Sequence, residues 1–426
     1  MNTGDDIIYG TGRNRRVLVL LIGEVLDDPR VYKTCMSLHE MGADVTVACT
    51  NPGSKPQCES HRGLSIVRFP HRGDSFLKKI YFLIRGRFTL GVDYTPAHGR
   101  AGSDKPSFAD KVINAVLDLN FRNFLKSTLS INRMMVDAFS GERFDLVHAN
   151  DVDTLVAGSM LRASGAAGAL LYDAHEYWAG MGAESRRSNR VLREIEGESI
   201  RSADYVVTVN PLIADLLEEQ YSLKQKPSVV MNCPYRYGGP TDTDTVHKPV
   251  RVIFQGKMQA YRGLENLVRA VGLWPHFELT ISGYGPLERS LRLIARKTGA
   301  DRLITFSGRY AGIQAIHILL EHDIGIIPYE DVVLNNRYAS PNKLFEYAMA
   351  GLAVVASDLL FMAGVVRDHG MGEVLLGTDP QSIASTLEKL CSSTERITGY
   401  KKNARSAGVK FFSWEKQFEG NYPWRS

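Results

Sequence analysis

Ser340-Pro341-Asn342-Lys343-Leu344-Phe345-Glu346-Tyr347-Ala348-Met349-Ala350-Gly351 is followed at once by Leu352 and the run Ala353-Val354-Val355-Ala356. Phe345, Ala348, Met349 and Leu352 recur at helical spacing and define a core face. Ser340 is a natural N-cap and Pro341 a natural first helical residue. A helix passing directly into a short apolar strand is one beat of an alternating α/β chain. Lys343 and Glu346 stand three apart on another face, where they can point into a cleft or form a plain surface pair. A lysine in the first turn opposes the helix dipole by roughly 0.3–1 kcal/mol, and an anion bound at that N-terminus reverses the sign.

The same alternation extends in both directions along the 426 residues. Apolar, β-branched runs that read as buried parallel strands lie at Val17–Ile22, Val45–Ala48, Ser65–Arg68, Leu146–Ala149, Ala169–Tyr172, Tyr205–Val209 and Val229–Met231. Gly238–Lys248 is polar, turn-rich and without an apolar period, and reads as a linker. Beyond it the pattern restarts at Val250–Gln255, Phe277–Ser282, Leu303–Phe306, Asp323–Pro328, Ala353–Ala356 and Glu373–Leu376, and the polar tail around Lys401–Lys410 reads as a helix. Two such series predict an α/β protein of two doubly wound, Rossmann-like domains, with ligands in the cleft outside the strands' carboxyl ends.

Composition narrows the function. With 44% apolar and 23% charged residues, 38 Gly and 17 Pro, disorder, collagen-like repetition and a small disulfide-stapled fold are excluded. The 51 Lys and Arg against 47 Asp and Glu leave a net charge of +4, too slight to support nucleic-acid binding as the main task. Cys35, Cys49, Cys58, Cys233 and Cys391 show no CxxC spacing, so neither a zinc site nor a disulfide framework follows and a reducing cytoplasm fits best. Val17–Ile22 is too short to span a bilayer. One segment breaks the rhythm: Lys55–Arg143 carries 15 Lys and Arg against 8 Asp and Glu, including FLKKIYFLIRGRF, Phe76–Phe88. It suits either an anionic membrane surface or a basic insertion, about 72–135, whose Lys and Arg stems cover the sheet.

Candidate chemistry gathers in the second half. The strand Val250–Gln255 runs into Gly256-Lys257 and then Tyr261-Arg262-Gly263-Leu264-Glu265. Two cations at a strand's carboxyl end, beside a helix entrance with unpaired N–H groups, suit a diphosphate; two solvated surface cations are the alternative. The next strand ends in Ser282-Gly283-Tyr284-Gly285-Pro286, where glycines let backbone approach a ligand, although tight βα turns use glycine in any case.

Gly256-Lys257 with Arg262-Gly263-Leu264, then SGYGP (Ser282–Pro286), then SPNKLFEYAMAGLAVVASD (Ser340–Asp358) resemble the donor-binding half of family 4 glycosyltransferases of the GT-B fold. Asp28-Pro29-Arg30-Val31 resembles the opening of one bacterial branch, and FDLVHAND (Phe144–Asp151) with YDAHEYW (Tyr172–Trp178) resembles its middle. Ser413-Trp414-Glu415 resembles the tail, where the last helix returns to the first domain. The likeness implies an acceptor-side domain over 1–240, a donor domain over 241–405 and a returning helix over 406–426.

Carried over residue by residue, the family's cationic pair for the donor diphosphate falls on Lys257 and Arg262, in exchanged order. Bidentate phosphate contact then moves to Arg262. Gly256, Gly283, Gly285, Ser340, Pro341, Asn342 and Lys343 complete the implied nucleotide site. Glu346 matches the second glutamate of a Glu-x7-Glu motif, where a carboxylate accepts two ribose hydroxyls. The first glutamate falls on Tyr338, and the histidine near the sugar falls on Asn150, with His148 two residues before it. His175 and Glu176 are the remaining first-domain candidates, a histidine beside a carboxylate being able to activate an acceptor hydroxyl or to pair structurally. Asp28 and Arg30 are expected to face the same cleft.

The implied reaction is retaining, metal-independent transfer of a sugar from a nucleotide diphosphate sugar to an acceptor hydroxyl, in surface polysaccharide or glycolipid assembly. No cofactor is expected beyond the donor substrate, and the partners are a glycan or glycolipid acceptor and an anionic membrane surface, with a cytoplasmic or inner-face peripheral location. A GT-B sugar-nucleotide epimerase and a non-catalytic glycosyltransferase-like subunit are the competing readings. The turn after the first strand, Gly23-Glu24-Val25-Leu26-Asp27, lacks the GxGxxG of a nicotinamide dehydrogenase.

Overall fold

A computed structural model describes residues 15–51, 53, 55–71, 108–178, 186–309 and 314–424. Its first sheet contains β1 (Arg16–Leu20), β2 (Asp44–Asn51), β3 (Gln57–His61), β4 (Leu64–Pro70), β5 (Phe144–Asn150), β6 (Ala167–Ala174), β7 (Tyr205–Thr208) and β8 (Ser228–Val229). Their order is β3-β4-β2-β1-β5-β6-β7-β8, and every pair except β3–β4 is parallel. The second sheet contains β9 (Val250–Gln255), β10 (Phe277–Ser282), β11 (Ile304–Gly308), β12 (Ile324–Ile327), β13 (Ala353–Ser357) and β14 (Gly372–Leu375). It is parallel throughout in the order β11-β10-β9-β12-β13-β14.

The expected α/β architecture is therefore present, for the expected reason. Val17, Leu18, Val19 and Leu20 are all buried, as are Val252, Ile253 and Phe254, because crossover helices cover both faces of each sheet. β3 is the strand the sequence did not announce. Its residues, QCESH, are polar and largely solvent-facing, and it pairs antiparallel at the sheet edge, where no hydrophobic alternation is required.

The linker 238–248 contains neither helix nor strand. Asp242 closes a turn there by accepting the N–H groups of Asp244 and Thr245, each at 3.0 Å. Lys401 lies in the helix Thr394–Lys410 but is buried against Asp323 at 3.4 Å, so this tail is not uniformly solvated. The helix Trp414–Asn421 packs Trp414 and Phe418, followed by Tyr422 and Trp424, into the core of the first sheet. Trp414 Nε1 donates to Ser37 Oγ at 2.9 Å. The basic aromatic stretch Phe76–Phe88 lies outside the described residues, and Phe108–Phe139 downstream of it is a helix. Among the described residues no helix is long and apolar enough to cross a membrane.

Candidate functional site

Strand order reverses at β9, which lies between β10 and β12, and at β1, which lies between β2 and β5. Loops leaving the carboxyl ends of such neighbours diverge and open a crevice. The loops after β9 and β12 bring together Gly256, Arg262 and Tyr329, and the helix Asn342–Ala350 adds Lys343 and Glu346.

The glycines of the Gly-Tyr-Gly turn serve loop packing. A Cβ on Gly283, at φ +143°, would lie 1.9 Å from the Gly256 carbonyl oxygen, and one on Gly285 would lie 2.2 Å from that of Met258. Only bare backbone lets these two loops meet. Arg262 lies with its guanidinium carbon 4.0 Å from the Tyr329 ring centroid. With its amide oxygen turned toward that guanidinium, Gln259 accepts from it at 3.1 and 3.2 Å.

Lys343 is buried, which overturns the picture of an exposed surface lysine. Its Nζ donates to the Tyr329 hydroxyl at 2.6 Å and lies 5.0 Å from the Phe254 ring centroid. Among the described residues neither Lys343 nor Arg262 makes an ion pair with a carboxylate. Burial by itself would raise the pKa of the Tyr329 hydroxyl, but Lys343 and Arg262 outweigh it and lower the value. Lys257, the other expected cation, is exposed.

Glu346 accepts from Gln255 Nε2 at 3.0 Å. Burial raises its pKa, and Lys343 and Lys33 partly offset the rise. The helix begins one residue later than the sequence implied. Pro341 is the N-cap residue and offers no side-chain cap, Asn342 opens the helix, and the Ser340 hydroxyl is buried without a partner. The first-turn N–H groups therefore have no side-chain acceptor, as an anion site requires.

Across the crevice, the carboxyl ends of β5 and β6 hold a buried charge cluster. Arg30 does not face the cleft as expected. Its Nε and Nη2 donate to the two Asp173 carboxylate oxygens at 2.9 and 2.6 Å, and its Nη1 donates to the Val230 carbonyl at 2.6 Å. Burial would raise the Asp173 pKa, but Arg30, then His175 and His148, hold it well below the usual carboxylate range. His148 is fully buried, with Nδ1 3.0 Å from the Tyr422 hydroxyl and Nε2 3.5 Å from Asp173, and burial lowers its pKa. Asn150, also fully buried, donates to the Leu20 carbonyl at 2.9 Å, while its Oδ1 has no partner.

His175 Nδ1 lies 3.3 Å from Asp151 and its Nε2 3.4 Å from Asp173. Burial would lower its pKa, but the two carboxylates raise it to about 9. The two carboxylates thus favour the protonated ring, which pairs with both of them. Asp151 fixes this arrangement: its Oδ1 accepts the backbone N–H of His175 at 3.0 Å and Trp178 Nε1–H at 2.9 Å, from a left-handed backbone of φ +60°. Glu176 remains at the crevice, where it accepts from Asn335 Nδ2 of the second domain at 3.2 Å. Burial raises its pKa, partly offset by Arg262. Tyr338, at the position of the missing glutamate, packs against the first-domain core, and its carbonyl accepts from Asn210 Nδ2 at 2.8 Å.

The structure thus gathers Gly256, Arg262, Lys343 and Glu346 in one place and sets His148 and Asn150 behind the cleft wall. Asp173, Asp151, Tyr329 and Gln255 are the members that spacing did not single out. The first two stand inside quoted motifs; Gln255 ends β9 and Tyr329 lies two residues beyond β12, where position alone was the signal. Among the described residues no group of three or more His, Cys, Asp and Glu is arranged to hold a metal ion.

Comparisons with known proteins give two family matches, a glycosyl transferase 4-like domain over residues 28–233 and glycosyl transferases group 1 over residues 249–393. No curated protein sequence matches the chain significantly. Among solved structures, sucrose-phosphate synthase from Thermosynechococcus elongatus superposes with a TM-score of 0.66 at 15% identity, covering 95% of this chain and 97% of that one. Anabaena HepE in complex with UDP gives 0.63 at 14% identity, covering 95% and 98%. WaaG, a glycosyltransferase involved in lipopolysaccharide biosynthesis, gives 0.61 at 11% identity, covering 95% and 98%. At such identities the likeness shows the fold alone.

Proposed function

The chain belongs to the GT-B glycosyltransferases, and on that premise we propose that it moves a sugar from a nucleoside diphosphate sugar to an acceptor hydroxyl with retention of anomeric configuration. The bond from the anomeric carbon to the diphosphate oxygen breaks, the acceptor oxygen forms the new bond, and its proton leaves with the diphosphate or to solvent. Negative charge then grows on the leaving group, and the rate depends on groups already placed to receive it. The observation that carries the reading is the uncapped N-terminus of the helix Asn342–Ala350, set beside Arg262, which among the described residues has no carboxylate at ion-pair distance. Together they supply the charge that metal-independent transfer needs. Glu346, held by Gln255, is proposed to accept the ribose hydroxyls.

The proposed acceptor is a growing surface polysaccharide or glycolipid, reached from the cytoplasmic face of the membrane. The basic aromatic stretch Phe76–Phe88 supports this part. Liposome flotation after neutralising Lys78, Lys79, Arg85 and Arg87 tests it, and unchanged binding removes that stretch as the anchor.

Calorimetric titration of wild type and Glu346→Gln with UDP, GDP, dTDP, ADP and CMP tests the transferase reading. One diphosphate is expected to bind the wild type, and at least tenfold more weakly the variant, since hydrogen bonds to a charged group contribute about 1.5–3 kcal/mol each. Absence of binding by every nucleotide to folded protein would refute it. UDP is the first choice because HepE has been seen with UDP. Anomeric NMR of the product then checks retention.

A further inference from the structure

We infer that the outward face of two helices of the second domain, Leu264–Leu273 and Glu288–Lys297, is a docking surface for a bilayer rich in anionic lipid. It lies outside the crevice, is independent of the transfer chemistry, and adds a second contact to the one proposed for Phe76–Phe88.

The argument begins with charges that local structure leaves unused. The stretch Glu288–Arg302 carries five Lys and Arg against two acids. Its helix buries Leu291 and Ala295 and turns Arg289, Arg292, Leu293 and Arg296 outward, at i, i+3, i+4 and i+7. Arg292 is already engaged: it pairs with Glu288 at 2.9 Å and lies 4.3 Å from the Phe306 ring centroid. Arg289, Arg296 and Lys297 are exposed and, among the described residues, have no carboxylate at ion-pair distance. Arg296 and Lys297 stand in the last turn, where a cation complements the helix dipole. Arg289 stands in the first turn and opposes it, so helix stability does not account for that residue.

Apolar groups accompany the cations. Leu293 is 45% exposed in the middle of the stripe, and Leu273, the last residue of the neighbouring helix, is 55% exposed. The two helices meet at their ends: a Cβ on Gly272 would lie 2.8 Å from Thr298 Cβ, one residue beyond Lys297. Arg269, one turn before Leu273, is exposed as well. Cations set around bare leucines suit an anionic bilayer, where the charged groups meet headgroups and the leucines enter the acyl boundary. Like charge disfavours a second copy of this face as the occupant, and an acidic polypeptide would satisfy the cations without using the leucines. The helix Glu288–Lys297 also follows directly on the turn Ser282–Pro286, whose glycines pack on the loop after β9, so a bilayer held there borders the crevice.

The test is flotation of the full chain with vesicles of phosphatidylcholine alone, and of phosphatidylcholine with about one third phosphatidylglycerol, at low and high salt. It compares wild type, an Arg289→Gln, Arg296→Gln, Lys297→Gln triple variant, Leu293→Gln, and the variant with Lys78, Lys79, Arg85 and Arg87 neutralised. Wild type is expected to float with the anionic vesicles only, and to be released as salt rises. Each cation near an anionic surface contributes about fivefold in affinity, so the triple variant should lose at least tenfold. Leu293→Gln should lose about threefold and keep the wild-type salt dependence. Both should melt with wild type, because the altered side chains are exposed. Unchanged flotation of the triple variant would overturn this inference alone and leave the Phe76–Phe88 contact standing. Equal binding of wild type to neutral vesicles would overturn it by removing charge as the cause. Binding of soluble polyglutamate that the triple variant loses, with vesicle binding intact, would assign the face to an acidic protein instead. No flotation of wild type with either vesicle would overturn both membrane contacts, while nucleotide titration still decides the transferase reading.

Discussion

Raising the pH should remove the contribution that one charged side chain, His175, makes to the stability of the first domain. His175 sits between Asp151 at 3.3 Å and Asp173 at 3.4 Å, and its pKa is raised to about 9. An unfolded histidine titrates near ~6.5. A pKa raised by folding stabilises fully below the unfolded value and ceases to do so as pH rises through the folded one. The gap corresponds to a pH-dependent contribution on the order of 3 kcal/mol, present at about pH 6 and gone by about pH 10. Other groups titrate in this window. Lys33, lowered by burial to about 8, acts with the opposite sign, and buried Cys49, raised to about 11, acts with the same sign as His175. The quantity to measure is therefore the stability difference between wild type and His175→Gln, in which those contributions cancel. Urea unfolding followed by tryptophan fluorescence suits it, because Trp178, Trp414 and Trp424, three of the four tryptophans, pack in or against the first domain. The difference should shrink by about 3 kcal/mol between about pH 6 and about pH 10. A difference that stays constant with pH would show that His175 is not charged in the folded protein, and the account of the cluster would fall.

Two further predictions concern packing and loop geometry. Arg30→Met removes both donors from Asp173 and leaves a buried carboxylate and the Val230 carbonyl under-satisfied; urea unfolding should show a loss of about 3–5 kcal/mol, and a loss below about 1 kcal/mol would mean that the two histidines replace the guanidinium. Gly283→Ala places a Cβ 1.9 Å from the Gly256 carbonyl and forces the two loops apart; calorimetry should show diphosphate affinity reduced by at least tenfold, and unchanged affinity would mean the site does not depend on that loop contact.

Much of the fold was legible in the residues themselves. Runs such as Val250–Gln255 are apolar on both faces because helices cover both sides of a parallel sheet, and that requirement writes an unbroken signal into the chain. The edge strand Gln57–His61 wrote none, since solvent accepts its polar side chains and pairing alone defines it. On the site, the motif around Lys343 and Glu346 marked the correct helix, but capping propensity put its start at Pro341 rather than Asn342. Ser340 had been a natural cap by type, yet its hydroxyl is turned into the structure.

Sequence by itself determined the alternation of strands and helices, the two sheets and the glycosyltransferase family, because each is carried by local periodicity or by residues close together in the chain. Tertiary structure alone decided which charges meet. Arg30 and Asp173 are separated by 143 positions and His148 and Tyr422 by 274, so no spacing rule could have joined them. The same holds for the cations of the crevice. Lys257 and Lys343 look equivalent as letters, and only the fold leaves one ammonium in water and buries the other against the Tyr329 hydroxyl.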